Sequence, residues 1–139
     1  AGSKFGPLIK IASGGELSRL ILALKVCLTN DQKGMSMVFD EIDRGIGGAT
    51  ADAVGRRLLQ LAQKNAQVLV VTHSPQVAAL AERHFVVSKV FENGKPLSNV
   101  SEVKGKGCVE EIARMISGDR ITDEAREASR VLISQASKV

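Results

Sequence analysis

At 139 residues and 44% apolar content, the chain has the length for one domain with its own hydrophobic core, and residues 1–139 are read as a single domain. No apolar run approaches the ~18 residues of a membrane span, and no charged-then-apolar leader opens the sequence, so a membrane or secretory role is not expected. The net charge of +4 permits a nucleic-acid partner, while the lack of Trp and Tyr argues against base stacking as a main binding mode.

In chain order, residues 7–12 (PLIKIA) read as a short strand. A helix should start at Ser13 and run to about Leu28, with Leu17, Leu20, Ile21, Leu24 and Leu28 as its apolar face. Cys27 lies among these apolar residues and reads as a buried free thiol. It is far from Cys108, which excludes a C-x-x-C metal or redox site and suits a reducing cytoplasm. Residues 30–34 form a loop. Residues 35–39 (MSMVF) read as a buried strand ending at Asp40, and residues 44–48 (RGIGG) as a flexible turn. Thr50 can cap a second helix to about Lys64 with Val54, Leu58, Leu59 and Leu61 as core positions. Residues 67–72 (QVLVVT) read as another buried strand.

Ser74-Pro75 fits an N-cap followed by proline at the first helical position, opening a helix to about Glu82. Residues 84–92 and 96–103 read as strands joined across Asn93-Gly94, a strong hairpin signal. Lys89, Lys95, Lys104 and Lys106 give this region a basic surplus that reads as a solvated hairpin. Residues 110–116 and 122–137 read as helices separated by Gly118. Strands alternating with helices indicate an α/β fold with a mainly parallel sheet flanked by helices, plus a β-hairpin near residues 84–103.

Three constellations carry chemistry. In the stretch Ser13-Gly14-Gly15-Glu16, Ser13 and Glu16 have capping-box spacing, which many helices use for stability alone. Two successive glycines are costly in a plain cap, since each disfavours helix by up to ~1 kcal/mol relative to Ala. Bare amides at the positive end of a helix dipole suit a phosphate. Asp40-Glu41 directly follows an apolar strand; the pair is either two surface carboxylates or a Mg²⁺-organising Asp beside a water-activating Glu. His73 follows the next strand. A lone His is usually structural, but ligands of open α/β sheets bind at the carboxyl ends of strands, where Asp40, Glu41 and His73 are all expected.

Taken in order, these segments resemble the ABC-type ATPases. Residues 13–16 resemble their signature motif, MSMVFDE their Walker B strand, Asp43 the start of their D-loop, and VVTHS their switch-histidine segment. KIASGGELSR, FDEIDRGIGGATADAVG, VTHSPQVAA and EEIARM resemble more specifically the RecN family, SMC-like ATPases of bacterial DNA repair and recombination. The similarity extends over roughly residues 8–118. It implies the C-terminal half of an ATPase head, with ATP and Mg²⁺ as ligands. Asp40 would hold the metal largely through water, Glu41 would act as base, and His73 would contact the γ-phosphate or the water. Ser13, Gly14, Gly15 and Glu16 would complete the pocket of an opposing head, and Asp43 would communicate across the dimer. Implied partners are the N-terminal half of the same head, a second head and DNA, at the nucleoid in the cytoplasm.

One departure from the ATPase pattern is decisive. No G-x-x-x-x-G-K-[ST] phosphate loop occurs in the sequence; Gly94-Lys95 is followed by Pro96, and Gly105-Lys106 by Gly107. The chain alone should therefore bind ATP weakly and hydrolyse it negligibly. Two rival readings stand beside this one. One is a metal-dependent nuclease or phosphatase built on Asp40, Glu41 and Asp43. The other is a structural half-domain whose hairpin lysines touch DNA or a partner, and which leaves an apolar face exposed.

Overall fold

The computed structural model describes residues 14–28, 34–64, 66–92 and 94–136. The expected strand at 7–12, Ser13 and most of the loop at 30–34 lie outside the described residues. The chain divides into two compact units, Ala1–Val77 and Ala78–Val139.

The first unit holds helix α1 (Gly14–Leu28), strand β1 (Ser36–Asp40), helix α2 (Gly48–Gln63), strand β2 (Gln67–Val71) and the start of the short helix α3 (Pro75–Ala78). β1 and β2 pair in parallel, register running from Ser36↔Gln67 to Asp40↔Val71. Parallel neighbours need a crossover, and α2 supplies it. α2 packs on β2 and against α1. Its buried face is Ala51, Val54, Gly55, Leu58 and Leu61, repeating at helical spacing. Ala51, Val54, Leu58 and Leu61 form one core with Leu22, Met37, Phe39, Ile42, Ala66 and Val77.

Period-two alternation sends Met37 and Phe39 inward from β1, and Ser36, Val38 and Asp40 outward. The apolar runs led to the expectation of fully buried strands, but one face of this pair is open. Val38 is 65% exposed and Val71 54%. α1 differs from expectation in the same way. Leu22 is its buried contact, whereas Leu20, Ile21 and Leu24 are exposed. The side chains of Cys27 and Leu28 lie outside the described residues.

α2 begins two residues before the expected Thr50 cap. Gly47 is the N-cap in extended backbone, with no side-chain hydrogen bond, and Gly48 follows with φ 52°. A glycine tolerates that left-handed value at little cost, so the helix starts there. In α3, Ser74 Oγ accepts from the Val77 N–H at 3.4 Å, as an N-cap should. The helix ends at Ala78 instead of reaching Glu82, because the Ala78 carbonyl accepts a turn bond from the Ala81 N–H (3.0 Å).

The second unit carries an antiparallel hairpin, β3 (His84–Glu92) and β4 (Lys95–Val103), in register from His84↔Val103 to Glu92↔Lys95. That register leaves two residues for the turn. Gly94 takes φ 76°, the conformation that an Asn-Gly turn requires of its glycine. Residue 93 lies outside the described residues. Glu102 accepts from Arg83 Nε at 2.9 Å and pairs with Lys104 at 3.2 Å, and the Arg83 guanidinium lies 5.3 Å from the Phe85 ring centre.

Helix α4 (Lys106–Ser117) starts four residues before expectation, because the Gly107 and Cys108 N–H groups already close turns onto Lys104 and Gly105. Gly107 passes close to Val103: a Cβ there would lie 3.3 Å from the Val103 Cβ. Helix α5 (Asp123–Ala136) is capped by Thr122, whose Oγ1 accepts from the Ala125 N–H at 3.2 Å. α4 and α5 pack through Ile112, Ala113, Ala125 and Ser129. Ser129 Oγ donates to the Val109 carbonyl at 2.9 Å, and Arg126 bridges Glu110 at 2.8 Å. Cys108 is a half-buried free thiol whose Sγ meets the Val103 carbonyl at 3.2 Å; burial pushes its pKa up. No helix among the described residues is long and apolar enough to cross a membrane.

Candidate functional site at the carboxyl ends of the parallel strands

The site grows out of the register of β1 and β2. Asp40 closes β1 opposite Val71, so residues 41–43 and 72–74 leave the sheet side by side. Asp40 itself is exposed at the strand end. Glu41 has φ 50°, and no other described non-glycine residue has a positive φ. A left-handed conformation there costs on the order of 1 kcal/mol for a residue with a Cβ. It accompanies an abrupt reversal. Ile42 is fully buried and anchors the turn in the core, Asp43 is 7% exposed, and Glu41 and Arg44 face solvent. The Arg44 N–H returns to the Glu41 carbonyl at 3.0 Å, and the Ile46 N–H to the Asp43 carbonyl at 3.2 Å.

The two exposed side chains of the turn meet. Arg44 Nη1 donates to Glu41 Oε2 at 2.9 Å. With both partners largely in solvent the pair is worth no more than about 1 kcal/mol. It engages one carboxylate oxygen of Glu41.

The buried carboxylate does something the sequence did not announce. Asp43 Oδ2 accepts three hydrogen bonds: from Thr72 Oγ1 at 2.6 Å, from the His73 N–H at 3.2 Å and from the Ser74 N–H at 2.9 Å. The Ser74 N–H also lies 2.9 Å from Thr72 Oγ1. A buried carboxylate requires such compensation. The side chain of His73 is exposed, while its backbone is held from below. The sequence marks Ser74 only as the N-cap before Pro75 and Thr72 only as the end of a strand, not as partners of Asp43. Two hydroxyl residues flanking a histidine at a strand end were the available signal.

The structure thus brings Asp40, Glu41, Asp43 and His73 to one end of the parallel pair. Gly14, Gly15 and Glu16 open a different element, α1. Ser13 lies outside the described residues, so the expected capping box is not described. One turn further along α1, Arg19 Nη1 is buried with no hydrogen-bond partner among the described residues.

The first amides of an α-helix lack intrahelical partners, and two glycines leave them unshielded, which fits a phosphate. Asp40 offers a hard oxygen donor in solvent, which fits an ion held by one carboxylate, waters and phosphate oxygens. Among the described residues no group of three His, Cys, Asp or Glu is placed to hold a metal by itself. A nuclease centre on Asp40, Glu41 and Asp43 fits poorly, because Asp43 is buried and committed to the 72–74 segment.

Comparison with known proteins adds the lineage. No protein-family model matches the chain. It is 48% identical over 132 residues to the DNA repair protein RecN of Mycobacterium leprae, covering 95% of the chain and 22% of that protein. It is 48% identical over 133 residues to RecN of Deinococcus radiodurans, covering 96% and 23%, and 40% identical over 138 residues to RecN of Halalkalibacterium halodurans, covering 99% and 24%. The chain therefore spans under a quarter of the length of these relatives. A solved structure described as "Structural biochemistry of ATP-driven dimerization and DNA stimulated activation of SMC ATPases" matches with a TM-score of 0.50 at 21% identity, covering 81% of this chain and 66% of that one. At that identity the likeness shows a shared mixed α/β fold and nothing more. Along nearly its whole length the chain belongs to the RecN family, corresponding to a C-terminal part of those proteins.

Proposed function

We propose that this RecN-family chain is one half of an SMC-like ATPase head serving DNA repair, with its hydrolytic groups at the carboxyl ends of β1 and β2. The observation that carries the reading is the register Asp40↔Val71, which sets Asp40-Glu41 and His73 at the same sheet end. The phosphate loop is then contributed by an N-terminal half of the head. The open face of Val38, Leu69 and Val71, the exposed Leu20, Ile21 and Leu24, and the buried Arg19 nitrogen that has no partner among the described residues support a missing partner surface.

Phosphoryl transfer needs positioning and charge stabilisation more than covalent chemistry from the protein. Asp40 would hold Mg²⁺, mostly through water; the ion, when bound, neutralises charge on the phosphates. Glu41 would orient the attacking water and accept its proton. Arg44 engages Oε2 and leaves Oε1 for that task. His73 would donate or accept a hydrogen bond at the γ-phosphate or the water. Ser13, Gly14, Gly15 and Glu16 would meet the γ-phosphate held by an opposing head, so that hydrolysis requires two heads to engage. Asp43 and the turn that carries it would lie at that junction, and engagement could then be tied to holding DNA in the cytoplasmic nucleoid. The isolated chain, lacking the phosphate loop, would bind ATP weakly and turn it over negligibly.

The test is Glu41→Gln in the chain combined with its N-terminal half. The variant should keep ATP binding, lose turnover and accumulate an ATP-bound head dimer on size-exclusion chromatography. Turnover at the wild-type rate would remove Glu41 as the base.

A further inference from the structure

Resting on the ATPase reading above, we infer that Asp43 is a positioning residue for His73, acting from beneath the site within its own head. One oxygen of a buried carboxylate gathers the Thr72 hydroxyl and the two successive amides of His73 and Ser74. These donors bracket the histidine on both sides and fix its Cα without touching its ring. The bonds join two segments that are 29 to 31 residues apart in sequence. They make the turn after β1 and the segment after β2 one hydrogen-bonded piece.

Three features make this more than a satisfied buried acid. First, Asp43 is anchored by its neighbour: Ile42 is fully buried, so the carboxylate cannot follow the His73 segment if that segment shifts. Second, the same five-residue turn presents Glu41 and Arg44 to solvent, so a partner that moves those side chains pulls on the acceptor that holds His73. Third, the backbone N–H groups of 73 and 74 have this one carboxylate, with Thr72 Oγ1 assisting at Ser74, as their described acceptors. Losing it strips the His73 N–H of its described acceptor and leaves the Ser74 N–H with Thr72 Oγ1 alone, and the segment must rearrange to regain partners. Asp43 thus couples contact at the exposed turn to the placement of the histidine. A misplacement of about 1 Å at a reacting group can cost up to 100-fold in rate.

The experiment has two arms. Amide hydrogen exchange on the chain itself should show Asp43→Ala raising exchange at His73 and Ser74 by about tenfold or more, with the β1 and β2 ladder amides unchanged. Unchanged protection at both amides would overturn the inference. In the chain combined with its phosphate-loop half, Asp43→Ala should lower kcat about tenfold or more with KM for ATP within about twofold. Asp43→Asn, which keeps an acceptor oxygen, should recover most of the rate. Adding Asp43→Ala to His73→Ala should cost nothing further, as expected of a residue that acts through His73. Should Asp43→Ala not fold, Thr72→Val removes the hydroxyl that donates to Asp43 at 2.6 Å and accepts from the Ser74 N–H, keeps both amide bonds to the carboxylate, and should show a smaller loss of the same kind. Wild-type kcat in Asp43→Ala, with His73→Ala impaired, would sink the positioning role and leave the ATPase reading intact. Wild-type turnover in both His73→Ala and Glu41→Gln would remove the ATPase reading, and the inference with it.

Discussion

The two units of the chain use their charged groups in opposite ways. In the first unit a carboxylate, Asp43, is buried and takes three hydrogen bonds from a segment distant in sequence. In the second unit the charged groups pair with one another nearer the surface, mostly within a helical turn, with Arg126–Glu110 joining α4 to α5. Arg114–Glu111, Arg126–Asp123 and Arg130–Glu127 are all i,i+3 contacts, and Arg83 and Lys104 share Glu102 at the hairpin's open end. Surface pairs contribute little each and are replaceable. A buried acid with several donors is expensive to assemble and fails as a whole when one partner is removed. The difference separates a region built to hold its own shape from a region built to hold another residue in place.

That comparison breaks at its strongest point if Ile42 is truncated. Ile42→Ala leaves a cavity at a fully buried site and should cost about 3 kcal/mol in urea unfolding of the first unit. Asp43→Ala comes next, at about 2 kcal/mol, mostly from stranded donors. The buried bond of the second unit should matter less: Ser129→Ala loses one hydrogen bond to the Val109 carbonyl and should cost about 1 kcal/mol. Thermal melts of the three variants would rank them.

The smallest effect is the pH dependence of the surface pairs. The bond from Arg83, seconded by Lys104, holds the Glu102 carboxyl below its ordinary value, and the bond from Arg126 does the same for Glu110. A carboxyl whose pKa is lowered by folding adds stability above its unfolded value and loses it as pH falls through the folded one. The second unit should therefore soften below the ordinary carboxylate range. Glu102→Gln should flatten part of that slope in melts taken from neutral to acidic pH.

Much of this was legible in the sequence, for local reasons. The apolar runs at 35–39 and 67–72 marked β1 and β2, and Asn93-Gly94 marked the hairpin. Asp40, Glu41 and His73 could be placed at strand ends because strand ends are set by where apolar residues stop. What escaped depended on tertiary choice. The inward turn of Asp43 and its grip on Thr72, His73 and Ser74 follow from the β1–β2 register, which no local pattern states. The apolar spacing of Leu20, Ile21 and Leu24 was read as a core face, and the structure leaves them in solvent. Periodicity shows that a face needs covering, without showing that the same chain covers it. Helix starts moved to Gly48 and Lys106 because glycine backbone conformations and turn hydrogen bonds outrank side-chain capping signals there.

ATP hydrolysis tests the central claim most directly. The chain should be assayed alone and then mixed with a separately produced N-terminal half carrying the phosphate loop, with and without DNA. The account predicts no turnover by the chain alone, turnover in the mixture, and its loss in Glu41→Gln. Turnover by the lone chain, or none by two halves shown to be folded and associated, would contradict it.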